Sequence, residues 1–181
     1  RLVHEAAWVA ATPHRGPVFL DFPLDVFGPS AGEGPEGGAP RAATPDPDAV
    51  GVLAALVAGA ERPAFLVGSD AYWDGAWDEL AAAADNLGVP CFFNGMGRGL
   101  LPADHDLAFL RTRGLLKQRA DVVVVLGTPL AFRLGFGTFG SATVAHAIDA
   151  ESQRAGHGDV MTVAGDLALT LRGLAAYAGD R

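Results

Sequence analysis

The chain is predicted to be an α/β protein: a three-layer, Rossmann-like parallel sheet with helices on both faces. Three observations predict it. Apolar strand-like runs alternate with stretches of helical periodicity. One run, Asp121 to Leu126 (DVVVVL), is apolar throughout after its aspartate, as a strand buried on both faces must be. Glycine stands at the ends of strand-like runs, at Gly68, Gly95 and Gly127, where a chain leaving a sheet has to turn sharply. In such sheets ligands bind beyond the carboxyl ends of the strands, so the loops at Gly68, 94–100 and 127–137 are the places where a site is expected.

Each element has a local reason. Leu2 to Ala11 has helical spacing, and Pro17 to Phe22 (PVFLDF) reads as a strand that needs neighbours to be stable. Gly28 to Pro47 is half Gly and Pro and is expected to be a solvated linker. Asp46-Pro47-Asp48 is a helix start: a capping carboxylate, a proline in the first turn and an acid at the positive end of the dipole. Behind it Ala49, Val52, Leu53, Leu56, Val57 and Ala60 form an apolar stripe. Pro63 to Val67 is a strand. Asp74 to Leu87 is a helix with Trp77, Leu80, Ala81, Ala84 and Leu87 on one face and Gly88 as its stop. Val89 to Phe93 is a strand, and a helical stretch from about Asp104 to Arg119 leads into the strand Asp121 to Leu126. Thr143 to Ile148 and Val160 to Val163 are two further strands. Asp166 caps a last helix that buries Leu167, Leu171, Leu174 and Ala178.

Composition narrows the function classes. The 181 residues carry a net charge of −8, with 13 Lys and Arg against 21 Asp and Glu, which argues against a nucleic-acid partner or an anionic membrane. No apolar run approaches the roughly 20 residues of a membrane span. The single cysteine, Cys91, has no partner for an internal disulfide, which fits a reducing cytoplasm. It is expected to be a small buried apolar group rather than a nucleophile. The chain opens on Arg1 inside a helical pattern and is expected to be a piece of a longer polypeptide.

Several familiar chemistries are excluded. The only lysine lies in Leu116-Lys117-Gln118, so no Gly-Lys-Ser/Thr phosphate loop exists. Gly135-Phe136-Gly137-Thr138-Phe139-Gly140 matches the dinucleotide pattern, but no strand precedes it directly and no helix follows. His4, His14, His105, His146 and His157 do not pair at metal-ligand spacing, and His146 reads as a core or edge residue. No Gly-x-Ser-x-Gly elbow is present. Gly95-Met96-Gly97-Arg98-Gly99 follows a strand directly. There Arg98 either meets a phosphate or carboxylate or is solvated beside a tight turn. Arg133 could clamp an anion or form an ordinary salt bridge. The candidate ligand-binding residues are Gly68, Ser69, Gly97, Arg98, Gly127, Thr128 and Arg133, with no catalytic constellation among them.

Several segments, in order, resemble the central region of thiamine diphosphate-dependent enzymes of the acetolactate synthase type. They are Arg15-Gly16-Pro17-Val18 through Phe22-Pro23-Leu24-Asp25-Val26; Glu61-Arg62-Pro63 with Phe65-Leu66-Val67-Gly68; Leu87-Gly88-Val89-Pro90; Gly95-Met96-Gly97-Arg98-Gly99 through Pro102-Ala103-Asp104-His105; Ala120-Asp121 through Leu126-Gly127; and Gly165-Asp166-Leu167. Each is weak alone; the ordered set is fairly specific and covers nearly the whole chain apart from the linker.

The resemblance implies residues 1–27 as the tail of a pyrimidine-binding domain, 28–47 as linker and 48–181 as the central domain. It implies thiamine diphosphate and Mg2+ in the full-length parent, bound by parts outside this chain: a glutamate earlier in the first domain and a Gly-Asp-Gly … Asn site in a third. The fragment alone is then expected to be inactive, its partners being the missing domains and further copies in a homo-oligomer. In some relatives the central domain binds FAD, in others ADP or part of CoA, in others nothing. Gly68-Ser69-Asp70-Ala71 departs from the glycine-rich FAD pattern, because Asp70 would repel a pyrophosphate if it faced one. Pro129-Leu130-Ala131-Phe132-Arg133-Leu134-Gly135-Phe136-Gly137 replaces the family's Arg-Phe-Asp-Asp-Arg-like segment, and His146-Ala147-Ile148-Asp149-Ala150-Glu151 lacks the proline of its usual strand end. The alternative is a stand-alone module that binds FAD, ADP, NAD or CoA.

Overall fold

The computed structural model describes residues 1–28, 40, 43–149 and 160–178. The chain forms two compact units, Arg1–Arg41 and Ala42–Arg181. In the first, helix α1 spans Leu2–Ala11 as expected. The anticipated strand over Pro17 to Phe22 is not one: the backbone there pairs with no other strand among the described residues, and a 3-10 turn, Leu24–Phe27, follows. An extended segment becomes a strand only by sharing its N–H and C=O groups with a neighbour.

The second unit holds a six-stranded, wholly parallel sheet in the order β3-β2-β1-β4-β5-β6. The strands are β1 (Pro63–Val67), β2 (Cys91–Phe93), β3 (Ala108–Phe109), β4 (Val122–Leu126), β5 (Thr143–Ile148) and β6 (Met161–Ala164). This is the doubly wound order, with its topological switch between β1 and β4. All five residues of β4 are buried, because it lies between two neighbours and under cover on both faces.

Alternate strand residues feed two cores. Phe65, Val67, Cys91, Val124, Leu126, Ala145 and Ala147 pack beneath three helices, α2 (Pro47–Gly59), α4 (Trp77–Leu87) and α6 (Leu167–Ala178). Ala64, Leu66, Phe92, Val123 and Val125 face the other way. They meet Leu116 of the short helix α5 (Gly114–Arg119), together with Leu134 and Phe139 from the chain that leaves β4. One face therefore carries three full helices and the other a six-residue helix and a loop.

Several expectations need correction. The helix expected over Asp74 to Leu87 starts only at Trp77, as α4; a separate short helix, α3 (Ser69–Trp73), stands before it, with Gly75 at φ +67 between the two. A left-handed residue cannot continue a right-handed helix. Trp77, expected on the buried face of α4, is half exposed, and Ala83 is buried instead. In α2 the buried residues are Val50, Leu53, Ala54 and Val57, whereas Val52 points outward. The stretch over Asp104 to Arg119 is helical only from Gly114. Upstream it supplies the edge strand β3, too short to show an alternating pattern. Strand β2 begins at Cys91 rather than Val89.

The end of the presumed linker is part of the second unit. Asp46 accepts the Asp48 N–H (3.0 Å) as the α2 cap, and the Ala43 carbonyl accepts the Asp166 N–H (2.7 Å). Most of the remaining linker, together with Ala150, Glu151, His157 and the Ala178 side chain, lies outside the described residues. No helix among the described residues is long and apolar enough to cross a membrane.

Candidate functional site

The carboxyl ends of β1, β2 and β4 converge. The Gly68 N–H donates to the Leu126 carbonyl (2.7 Å), Asp70 N–H to Gly127 O (3.0 Å), and Asn94 N–H to Val67 O (2.8 Å). The glycines permit this approach. A Cβ on Gly68 would overlap Thr128 Cβ and the Gly127 carbonyl; one on Gly97 would overlap the Val67 carbonyl. Gly127, at φ +62, sits against Ala71 N and Leu167 Cδ1. Small residues here let three strand-end backbones touch.

Side chains knit the same junction. The Ser69 hydroxyl accepts the Met96 N–H (3.1 Å), tying the loop after β1 to the loop after β2. Thr128 is buried; its Oγ1 accepts from Asn94 Nδ2 (3.1 Å), and Asn94 Oδ1 accepts from Arg113 Nη1 (3.1 Å). His146 of β5 is buried and lies with Nε2 2.9 Å from the Thr128 carbonyl. A carbonyl can only accept, so Nε2 carries the proton. Burial holds this imidazole below its usual pKa, partly opposed by the Thr128 bond and the negative charge of Asp70.

Five of the seven candidates therefore meet: Gly68, Ser69, Gly97, Gly127 and Thr128. Arg98 follows Gly97 as an exposed residue of the same loop. Arg133 lies elsewhere, on the 3-10 turn Phe132–Gly137, its guanidinium 5.7 Å from the Phe132 ring centroid. Together with Arg113 and Lys117 it lines a separate cavity of about 310 Å3 between α5 and that turn. Asp70 is wholly buried inside α3, so it does not confront a ligand in the way the sequence suggested. Cys91 is buried, and burial pushes its thiol up to about 12. The glycine pattern at 135–140 belongs to a kinked turn that ends in β5, not to a strand–helix junction.

Sequence reasoning missed Asn94, Arg113 and Lys117. Asn94 was visible as a polar residue at a strand end; the other two became relevant only once α5 packed beside the 132–139 loop. A further concavity, of about 300 Å3, lies at the amino ends of the strands, walled by Pro63, Ala64, Pro90 and Phe92. It is mostly apolar.

A doubly wound parallel layer with glycine-packed strand ends defines the class of protein: a Rossmann-like α/β domain. Comparison makes the family specific. Residues 50–174 match the model for the thiamine pyrophosphate enzyme central domain, and the chain belongs to that family. It is 37% identical to a probable acetolactate synthase of Mycobacterium bovis, over 98% of this chain and 34% of that protein. It is 42% identical to human 2-hydroxyacyl-CoA lyase 2, over 45% of this chain and 13% of that one. A benzoylformate decarboxylase from Polynucleobacter necessarius superimposes with a TM-score of 0.73 at 26% identity, covering 97% of this chain and 35% of the other. The chain thus spans about a third of the length of the acetolactate synthase it matches.

The described residues do not fit thiamine diphosphate itself. A metal-bridged diphosphate needs a set of oxygen donors around the cation. No group of three His, Cys, Asp or Glu among the described residues could hold a metal ion. The polar side chains of Ser69, Asn94 and Thr128 at the strand ends already bond to one another or to backbone. No catalytic step is assigned to them.

Proposed function

We propose that this chain is the central stretch of an enzyme that makes or cleaves a carbon–carbon bond next to a carbonyl, on a 2-oxo acid or related acyl substrate. Such an enzyme would resemble acetolactate synthases, 2-oxo acid decarboxylases and lyases, and would use thiamine diphosphate with Mg2+. The observation that supports it most is the 37% identity to a probable acetolactate synthase over 98% of the chain. In this reading residues 48–181 form a structural core between a pyrimidine-binding and a pyrophosphate-binding domain. Residues 1–27 close the first of these, and 28–47 link the two parts. The chain by itself is inactive. The parent is cytoplasmic and homo-oligomeric, without nucleic-acid or membrane partners.

The test compares the whole polypeptide with this chain. The whole polypeptide should consume a 2-oxo acid such as pyruvate only when thiamine diphosphate and Mg2+ are supplied. The chain alone should show neither turnover nor a saturable thermal shift with thiamine diphosphate. A saturable shift would overturn the placement of the cofactor elsewhere; failure of the whole polypeptide on every 2-oxo acid would overturn the reaction class.

A second reading is favoured by the switch point between β1 and β4. There a nucleotide such as FAD, ADP, NAD or CoA would lie across Gly68, Ser69, Gly97, Arg98, Gly127 and Thr128. Calorimetry with the four ligands tests it, since binding should weaken in Arg98→Ala. Silence from all four leaves a purely structural domain.

A further inference from the structure

We propose that the concavity at the amino ends of β1 and β2 binds a small monocarboxylate with an apolar body, its head group held by Arg119. The inference goes beyond the carbon–carbon chemistry of the parent and does not rest on it.

The walls select an apolar body. Pro63 opens β1 and Pro90 stands just before β2. Neither residue has a backbone N–H, so these two positions present no donor to the space between the strands. The Pro90 carbonyl is already taken by the Phe65 N–H (3.0 Å). Behind them Ala64 and Phe92 are buried, and Phe109 of the edge strand β3 stacks on Phe92 with ring centroids 5.3 Å apart. Leu115, an apolar residue on the exposed side of α5, completes the wall. The hollow of about 300 Å3 offers water few partners, so an apolar group that displaces it gains free energy. Gly68 and Asn94, at the opposite ends of β1 and β2, line no part of it.

Charge at the rim decides the head group. The ionic residues that line the hollow are Glu61, Arg62 and Arg119. Arg62 is committed: its Nε donates to the Arg119 carbonyl (2.7 Å), and its Nη1 lies 3.4 Å from the Glu61 carboxylate. Asp121 is engaged as well, accepting the N–H groups of Glu61 (2.9 Å) and Arg62 (3.0 Å). The Arg119 guanidinium has no ion pair or hydrogen bond among the described residues. A guanidinium takes a carboxylate through two parallel N–H···O bonds. One uncommitted cation beside an apolar hollow therefore suits a single negative charge; a second would be pressed toward Glu61. The volume stands at the low end of the roughly 300–1,000 Å3 of small-molecule sites, which fits a compact acid rather than a folded partner.

The experiment titrates the chain with 3-phenylpropionate and with octanoate, following amide resonances by NMR at fixed pH and ionic strength. At least one acid should bind saturably, and Arg119→Met should weaken it roughly tenfold, as expected for loss of a charge-assisted pair. Arg119 is exposed, so the variant should melt like the parent chain. Lys117→Met removes the same charge from the same helix without lining the hollow, and should leave binding unchanged. Saturation by 3-phenylpropionate alone identifies an aromatic body, and by octanoate alone an aliphatic one. Saturation by both shows that the body need only be apolar, and each of these results supports the site. No saturable binding overturns it. So does 3-phenylpropanol binding as tightly as the acid, or pyruvate binding as tightly as either, since head group or body would then be irrelevant. Equal losses in Arg119→Met and Lys117→Met overturn it too, as a diffuse charge effect. Binding by this chain that the whole polypeptide lacks also overturns it, because a segment of the parent would then fill the hollow.

Discussion

His146 Nε2 lies 2.9 Å from the carbonyl oxygen of Thr128, and this contact joins β5 to the loop that leaves β4. The same threonine uses its hydroxyl to accept from Asn94 after β2. One residue thus ties together chain segments on both sides of the sheet's switch point. Most of what can be tested about the stability of this junction follows from how tightly it is packed.

The burial of His146 makes stability depend on pH. Burial lowers the imidazole pKa in the folded chain, with the Thr128 bond and Asp70 opposing. An unfolded chain therefore takes up a proton near pH 6.5 while the folded one does not, and stability rises with pH through that region. The contribution is complete above about pH 6.5 and is lost as pH falls from there toward the lower folded value. Melting temperatures measured from pH 7.5 down to 5 should fall, and His146→Gln should flatten the slope. An unchanged slope in that variant would refute the assignment.

Gly68→Ala should be among the most damaging small substitutions in the chain. Its Cβ would strike Thr128 Cβ and the Gly127 carbonyl, and neither is the far end of a flexible side chain. A loss of about 1–3 kcal/mol or more is expected from overpacking of this kind. Urea denaturation measures it, with Gly59→Ala, where a Cβ meets nothing, as the comparison.

Cys91 should resist thiol reagents. Its thiol is buried and pushed up to about 12, so both the thiolate and the path to it are lacking at pH 8. Labelling with iodoacetamide should be slow in the folded chain and rapid in guanidinium chloride. Rapid labelling under native conditions would show that β2 is less well covered than its packing indicates.

Asp166→Ala should destabilise the chain by about 1 kcal/mol, the usual cost of a lost helix cap. The carboxylate accepts the Leu169 N–H (2.8 Å) at the start of α6, whose Leu167, Leu171 and Leu174 fill the larger core. Asp166→Asn keeps an acceptor and should lose only part of that; thermal melts of the two variants separate the cases.

Much of the fold was legible because strong local signals coincide with elements. Helix α1 and strand β5 stand where periodicity put them, β4 differs by one residue, and Asp46 and Asp166 cap helices as their positions imply. Elements that exist only through pairing were misread. Pro17 to Phe22 has a strand's composition without a partner, and Ala108–Phe109 is a strand with almost no composition of its own. The inner face of α2 was rotated in the reading because Val52 and Val50 are equally apolar and only contact with α6 selects Val50.

The candidate site divides in the same way. By itself the sequence determined the parallel α/β layer and the glycines at strand ends, since each rests on residue types at short spacings, and its ordered motifs carried the resemblance to the family. Tertiary structure alone decided that Asp70 is interior, that Thr128 bridges Asn94 and His146, and that Arg133 stands with Arg113 and Lys117 rather than with Arg98. The reason is physical: periodicity reports which face of an element is apolar. Which distant side chains share a cavity depends on how α5 and the 132–139 loop pack over one face of the sheet.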